Sequence, residues 1–273
     1  MSAPITSTFP DVDRERRFGG IARLYGNDAL PRLDLARVCV VGIGGVGSWA
    51  AEALARSGVG HLTLIDLDHV AESNINRQSH ALDATLGQAK VLAMAERLRA
   101  INPLVNVAIV EDFIGEDNAA ALLRDFDVVI DAIDNVRAKV AIVLACRARR
   151  IPLIVAGGAG GKTDPSRIRV DDLSRTEQDP LLAKVRKRLR SEHGFPRNPK
   201  RPFGIEAVYS SEALRLDGAA CDLPHGPQGL ACAGYGSSMM MTASVGLFAA
   251  ARALERLLAR RAGDVPDAPE DQA

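Results

Sequence analysis

The residues best suited to chemistry begin with a glycine-rich run, GIGGVG at positions 42–47. It follows the apolar run VCVV and precedes a stretch with apolar residues at helical spacing, so a strand-to-helix turn is predicted. In such a turn Gly42 permits the sharp bend, Gly44 lets a phosphate approach the backbone, and Gly47 lets the helix pack against the strand. Gly45 belongs to the same turn. Alone, these residues fit a dinucleotide cofactor and another nucleotide equally well.

Polar residues that would complete a nucleotide site follow the glycines. Asp66 ends a second predicted strand, where an acid accepts hydrogen bonds from ribose hydroxyls; a plain strand-end turn is the alternative. The loop at 73–78 reads SNINRQ, and its Arg77 is suited to neutralising phosphate charge. Lys90, at the start of the next helix, is suited to the same task. Taken singly, both cations are more commonly solvated surface charges.

Asp134 and Asn135 lie just beyond the apolar strand DVVI. The carboxyl ends of parallel strands form the ligand crevice of an open sheet. Magnesium requires only one or two carboxylates when phosphates supply further oxygens, so Asp134 is the predicted Mg²⁺ ligand. The alternative role for Asp134 is to cap the following helix, although Asn135 could cap it instead.

The elements that must position these residues alternate along the chain. Strands are predicted at 38–41, 61–65, 105–110, 127–131 and 151–155, with helices at 46–57, 87–100, 116–124 and 136–149 between them. This order predicts an α/β fold, a Rossmann-like, mostly parallel sheet with helices on both faces. Beyond residue 155 the regular alternation of strands and helices ends. Strands at 167–171 and 205–209, a basic helix at 178–192 and a final helix at 236–258 predict a smaller C-terminal extension with antiparallel strands.

A single domain is predicted over 14–260, with tails at 1–13 and 261–273 that are expected to be disordered. Within it, 14–35 is a helical segment, 36–161 the nucleotide-binding core, and 162–260 the part that faces the substrate and ends in the final helix. The 273 residues are 47% hydrophobic and 25% charged, as is typical of a globular protein.

The formal net charge is zero, which excludes a global attraction to nucleic acid or membranes and leaves only local patches. The four cysteines are widely spaced, and neither a CxxC pair nor a signal peptide is present, so we expect a cytoplasmic protein. The apolar part of 234–251 is shorter than a bilayer requires, which favours a buried helix over a membrane span.

Together, the glycine turn, Asp66, SNINRQ, Lys90 and the Asp134-Asn135 pair resemble the superfamily of enzymes that adenylate carboxylates. It includes activators of ubiquitin-like proteins and their relatives in molybdopterin and thiamine pathways. Within it, RFGGIARLYG at 17–26 and GGVGSWAAEALARSGVG at 44–60 resemble the bacterial tRNA threonylcarbamoyladenosine dehydratases. The resemblance spans residues 14 to 258.

The resemblance implies that ATP is bound together with Mg²⁺. The implied ATP-binding residues are Gly42, Gly44, Gly45, Gly47, Asp66, Ser73, Asn74, Asn76, Arg77, Lys90, Asp134 and Asn135. Arg77 and Lys90 would contact phosphates and Asp134 would bind the metal, so these three are the expected catalytic residues. A homodimer is also implied. Many small activators carry two CxxC pairs that hold structural zinc, and no zinc is expected here because this chain has no such pair.

The implied reaction is the ATP-dependent dehydration of threonylcarbamoyladenosine in tRNA, in which the adenylated carboxylate is attacked by the carbamoyl group and a ring closes. A basic segment at 184–201 carries eight Lys or Arg against the single acid Glu192 and would contact tRNA phosphates; a solvated helix face is the alternative. Its candidate tRNA-binding residues are Lys184, Arg186, Lys187, Arg188, Arg190, Lys200 and Arg201.

The alternative function is adenylation of a small sulfur-carrier protein. Cys232 would then be a candidate nucleophile and a sulfur-transfer protein a partner, although a buried free cysteine is commoner. A nicotinamide-dependent oxidoreductase also uses such a glycine turn, but SNINRQ and Asp134-Asn135 have no obvious role in one. A non-catalytic nucleotide-binding scaffold is the remaining alternative.

Overall fold

The structure, a computed structural model, describes residues 12–198, 200–214 and 236–259. A seven-stranded sheet, in the order β3-β2-β1-β4-β5-β7-β6, runs through its centre. The strands are β1 (Arg37–Val41), β2 (His61–Ile65), β3 (Asn106–Val110), β4 (Val128–Asp131), β5 (Leu153–Ala156), β6 (Ile168–Asp172) and β7 (Glu206–Ser210). All neighbouring strands are parallel except β6 and β7, so the predicted sheet and its antiparallel extension are confirmed.

Helices cover both faces of this sheet. They are α1 (Arg14–Tyr25), α2 (Ala29–Leu35), α3 (Gly47–Arg56), α4 (Lys90–Ile101), α5 (Ala119–Leu122), α6 (Val136–Ala148), α7 (Pro180–Glu192) and α8 (Met239–Ala259). Successive strand residues point to opposite faces, so Val40 of β1 packs with Leu54 and Leu254 on one side. Val41, the next residue, packs in a second hydrophobic cluster with Ile142 of α6.

One predicted helix begins three residues later in the structure than the sequence pattern indicates, and another is much shorter. The helix expected from 87 begins at Lys90, because Gly87 adopts a positive φ of 80° that ends the preceding turn. The helix expected at 116–124 is a single turn, Ala119–Leu122. The Asn118 side chain accepts the N–H of Gly115 before it, and Asp125 takes a left-handed φ of 57° after it.

The predicted site residues follow the strands at the point where the strand order reverses. Strand β1 pairs with β2 on one side and β4 on the other, and the register places Val41 beside both Ile65 and Asp131. The residues that follow these three strands therefore emerge side by side at the carboxyl edge of the sheet.

The last helix, α8, packs on α3 next to this edge. A side chain at Gly246 would collide with the carbonyl oxygen of Val46, so glycine permits the close packing of the two helices. None of the helices in the described ranges combines the length and hydropathy that crossing a bilayer demands.

Candidate nucleotide-binding site

The glycine turn between β1 and α3 is shaped by two of its glycines and left open by a third. Gly42 has a φ of 86° and its N–H donates to the carbonyl of Ile65 at 2.8 Å. A side chain at Gly47 would overlap the carbonyl oxygen of Gly42. At Gly44, by contrast, the nearest described atom to an added Cβ would be Gln78 Nε2, at 3.9 Å. Gly42 and Gly47 are thus needed for the fold, and the backbone at Gly44 is accessible to a ligand.

Asp66, at the end of β2, is tied to the glycine turn. Its Oδ2 accepts the N–H of Ile43 at 2.6 Å and its Oδ1 accepts the N–H of Asp68 at 2.9 Å. Burial raises the pKa of Asp66, and the positive charge of Lys90 opposes that shift. Carboxylate oxygens accept more than one hydrogen bond, so these contacts leave acceptor capacity for a ribose. The ribose role stays a prediction.

Lys90 is not a solvated surface charge. Its side chain is 8% exposed, and its Nζ lies 2.7 Å from Asp68 Oδ2. The backbone N–H of Lys90 also donates to the carbonyl of Asp68 at 2.9 Å, which fixes the start of α4 against the end of β2. Asp68 is not among the residues that the sequence predicts for the site. Its position two residues beyond Asp66, at the same strand end, was the available signal.

The SNINRQ loop is held by its asparagines. Asn74 is buried and its Oδ1 accepts the N–H of Ala71 at 3.1 Å. Asn76 donates from Nδ2 to the carbonyl of Ser237 at 2.8 Å, and its own carbonyl accepts the N–H of Met239. Asn74 therefore folds the loop and Asn76 joins it to the start of α8, whereas Ser73 is exposed.

Arg77 lies beside the glycine turn, because a Cβ built on Gly45 would be 3.4 Å from Arg77 Cγ and 3.0 Å from Thr242 Cγ2. Its Nη1 donates to the carbonyl of Ser73 at 2.7 Å. Its own carbonyl accepts Trp49 Nε1 at 2.9 Å and Thr242 Oγ1 at 3.3 Å. These two supporting residues were missed from the sequence. Trp49 is the chain's single tryptophan, which was the one available hint.

Asn135, not Asp134, caps α6. Its Oδ1 accepts the N–H groups of Arg137 at 2.9 Å and Ala138 at 3.1 Å. Asp134 is exposed and takes no part in the cap. The loop packs on the glycine turn, since Ile133 Cγ2 would lie 2.7 Å from a Cβ on Gly42. An exposed carboxylate outside the cap fits Mg²⁺, which takes its remaining ligands from phosphates and water.

A buried ion pair lies directly behind this loop. Asp131 and Lys139 are both inaccessible to solvent, with Lys139 Nζ 3.0 Å from Asp131 Oδ1. Asp131 Oδ1 also accepts the N–H of Ile133 at 3.2 Å. Burial raises the pKa of Asp131, and Lys139 counteracts this. Neither residue was predicted to contribute to the site, and no spacing rule marks the pair.

The candidate tRNA-binding residues divide into three groups. Arg186, Lys187 and Arg190 line one concavity on α7. Arg188 instead forms ion pairs with Glu116 and Glu192. The remaining three are exposed and do not line the concavity: Lys184, Lys200 and Arg201.

The cysteines that the structure describes are unsuited to nucleophilic chemistry. Cys39 and Cys146 are buried. Burial raises the pKa of the Cys39 thiol, and it raises that of Cys146 to about 12. Cys221 and Cys232, the latter the candidate nucleophile, lie outside the described residues.

Comparison with known proteins identifies the family of this chain. A sequence model of the ThiF family matches residues 19–268, which is most of its length. The chain belongs to the ThiF family. This ThiF-family chain is 50% identical over 255 residues to tRNA threonylcarbamoyladenosine dehydratase of Escherichia coli K12, and the match covers 90% of this chain and 95% of the relative.

Solved structures agree with the sequence match. The crystal structure of the E. coli dehydratase in complex with ATP has a TM-score of 0.82 to this ThiF-family fold, at 48% identity, covering 90% of this chain and 95% of that one. The molybdopterin-synthase adenylyltransferase of E. coli is 39% identical, but over only 49% of this chain and 54% of its own. The likeness to the dehydratase thus extends well beyond the part shared with the adenylyltransferase.

Proposed function

We propose that this protein is an ATP-dependent tRNA threonylcarbamoyladenosine dehydratase that acts by carboxylate adenylation. One observation carries the proposal. The open glycine turn, Asp66, Lys90, Arg77 and Asp134 converge at the carboxyl edge of β1, β2 and β4, in a chain that is half identical to the E. coli dehydratase over 90% of its length.

In this reaction the carboxylate of the threonylcarbamoyl group attacks the α-phosphorus of ATP. The bond from that phosphorus to the bridging oxygen breaks, and pyrophosphate leaves. The carbamoyl group then attacks the acyl carbon, loses a proton and expels AMP, which closes the ring. The nucleoside loses one water in total, with its oxygen transferred to AMP. No protein nucleophile is needed, so the buried state of Cys39 and Cys146 is no obstacle.

The residues of this chain bind and orient the reactants. The accessible backbone at Gly44, beside the start of α3, accommodates phosphates through free N–H groups at the helix start. Lys90 and Arg77 stabilise the charge that develops as pyrophosphate departs. Asp134 would hold Mg²⁺, which supplies further neutralisation of phosphate charge. Positioning and charge stabilisation are the main catalytic contributions in phosphoryl transfer.

The assembly is part of the same proposal. Residues 14–260 form one adenylating domain, the basic segment contacts tRNA, and two copies associate. An apolar stripe on α8 supports the dimer: Met240, Leu247 and Phe248 are exposed, at spacings that place them on one side of the helix.

Mass spectrometry of tRNA bearing threonylcarbamoyladenosine, before and after incubation with ATP and this protein, tests the function. Loss of one water, with release of AMP and pyrophosphate, is expected. Arg77→Ala and Asp134→Ala should lose this activity while retaining the fold. Asp125→Asn, an exposed acid at another loop, is the matched control and should keep activity.

Adenylation of a sulfur-carrier protein remains the alternative, with a sulfur-transfer protein as partner and Cys232 as nucleophile. The adenylyltransferase relative supports it over only half of the chain. Pyrophosphate release with a carrier protein ending in Gly-Gly, and none with modified tRNA, would replace the dehydratase proposal with this one.

A further inference from the structure

Helix α7 buries one side and presents a basic concavity on the other. Leu181, Leu182, Val185 and Leu189 are buried, and the last three belong to the second hydrophobic cluster. The other side, together with the loop that follows, forms a concavity of about 340 Å³. Its lining residues are Ala183, Arg186, Lys187, Arg190, Ser191 and Arg197. Four of these six carry a positive charge, and we refer to the concavity as the arginine cleft.

Two of the arginines are held in place by the protein. Arg186 donates to Thr176 Oγ1, in the loop that precedes α7. Arg190 donates to the carbonyl of Pro196 at 3.3 Å, and its guanidinium lies 5.2 Å from the ring centre of Phe203. A side chain that is already ordered loses less conformational entropy when it binds a ligand. A freely solvated helix face would lack these contacts.

The positive charge of the arginine cleft is only partly offset, by the carboxylate of Asp179, which acts on Arg186 from beyond ion-pair distance. Among the described residues, no carboxylate lies within ion-pair distance of Arg186, Lys187, Arg190 or Arg197. Arg188, on the same helix but outside the cleft, is paired with two glutamates. Burial is the main cause that lowers the pKa of Arg186; repulsion from the Arg190 guanidinium adds to this effect, and the charge of Asp179 opposes it. An anion in the cleft would relieve this repulsion.

We propose that the arginine cleft binds a backbone phosphate of tRNA, with its adjoining riboses, through residues that are not part of the candidate adenylation site. The proposal rests on the function proposed above. Guanidinium groups match phosphate oxygens with paired hydrogen bonds. The cleft volume is at the lower end of small-ligand sites, about 300–1,000 Å³, and exceeds what a lone phosphate fills. Such a contact positions the RNA without reading its sequence.

Binding of an unmodified tRNA transcript, followed by fluorescence anisotropy over a KCl series, tests the arginine cleft separately from catalysis. Arg186→Gln/Arg190→Gln should weaken binding about tenfold or more, and should reduce the slope of log affinity against log salt by about one for each phosphate that the variant no longer neutralises. Arg124→Gln, which removes an exposed charge that does not line the cleft, should leave the slope unchanged.

A second variant guards against a folding defect. Lys187→Gln/Arg197→Gln removes the two cleft cations whose side chains make no hydrogen bond or ion pair with other described residues, so its thermal unfolding should match that of the wild type. It too should weaken transcript binding. Wild-type affinity and slope in both double variants would overturn the proposal. If the double variants no longer bind an acidic carrier protein but still bind the transcript, the RNA proposal is overturned in favour of a protein partner.

The outcomes separate this proposal from the proposed function. If the wild type dehydrates modified tRNA and the cleft variants have the same KM for it, the assignment of the arginine cleft to tRNA is wrong and the proposed function stands. If no tRNA is dehydrated but transcript binding depends on the cleft, the function fails and the cleft stands. Inorganic phosphate and pyrophosphate serve as further probes. If either anion raises the thermal stability of the wild type but not of the cleft variants, and the variants bind the transcript as tightly as the wild type, the cleft is a small-anion site and its assignment to RNA is overturned.

Discussion

Lys139 Nζ and Asp131 Oδ1 lie 3.0 Å apart, and both side chains are fully excluded from solvent. Through the N–H of Ile133, which Asp131 also accepts, this pair joins α6 to the loop that carries Asp134. Lys139→Met would leave a buried carboxylate without its partner. The expected loss in free energy of unfolding is about 3–5 kcal/mol, measured by urea denaturation.

The double variant Asp131→Asn/Lys139→Met is the control for this prediction, because it removes both charges together. It should recover much of the stability that the single variant lacks. An equal decrease in the single and double variants would show that packing of the lysine stem, rather than an unpaired charge, is responsible.

The division of labour between Asp134 and Asn135 yields a second prediction. Asn135→Ala removes the cap of α6 and should lower the free energy of unfolding by about 1 kcal/mol. Asp134→Asn should leave stability unchanged, since the side chain is exposed and outside the cap, but should reduce AMP formation by about a hundredfold. Destabilisation by Asp134→Asn would contradict its assignment as a ligand alone.

A third prediction contrasts two glycines of the same turn. Gly47→Ala places a methyl group on the carbonyl of Gly42 and should destabilise the fold by about 1–3 kcal/mol or more. Gly44→Ala approaches the tip of Gln78 at an ordinary van der Waals distance, so it should fold normally. Its methyl group would obstruct the approach of a phosphate, and calorimetry should show weaker ATP binding. Unaltered ATP affinity in Gly44→Ala would place the phosphates elsewhere.

His80 gives a prediction about pH. It is 1% exposed, and neither of its ring nitrogens has a hydrogen-bond partner among the residues that the structure describes. Burial, followed by the charges of Lys90 and Arg97, lowers its pKa from 6.5 to about 4. Between pH 4 and pH 6.5 the unfolded chain binds more protons than the folded chain. The free energy of unfolding is therefore unaffected by His80 above pH 6.5 and decreases as the pH falls towards 4. The decline corresponds to about 3 kcal/mol.

The measurement is the difference in unfolding free energy between the wild type and His80→Leu from pH 7 to pH 4. The variant has no imidazole to protonate, so its stability should fall less steeply with acid. Parallel curves for the two proteins would show that His80 is protonated equally easily in the folded state and the unfolded state.

Local patterns were sufficient to predict the sheet and the edge at which the candidate site residues come together. The β-branched run before Gly42 and the acids after two further strands are short-range signals. What the sequence could not show depends on distant contacts. The burial of Lys90 depends on Asp68, 22 positions earlier, and the support of the Arg77 carbonyl comes from Thr242, 165 positions later.

Adjacent residues with similar chemistry also limited what could be predicted from the sequence. Asp134 and Asn135 are both good caps, and only the backbone path into α6 decides between them. The basic segment likewise contains cations that differ little in sequence. Arg188 pairs with glutamates whereas Arg186 does not, because the helix turns them to different surroundings.

The contacts from α8 to the SNINRQ loop form late during translation. Asn76 and Arg77 emerge from the ribosome early, but the groups that hold them, at Ser237 and Thr242, are synthesised 161 and 165 residues later. Chains grow from the N-terminus at about 5–20 residues per second, so Arg77 is synthesised roughly 8 to 33 seconds before Thr242. An unfinished or truncated chain that lacks α8 also lacks the groups that hold Asn76 and the Arg77 carbonyl, so the SNINRQ loop gains all of its contacts only after Thr242 has been synthesised.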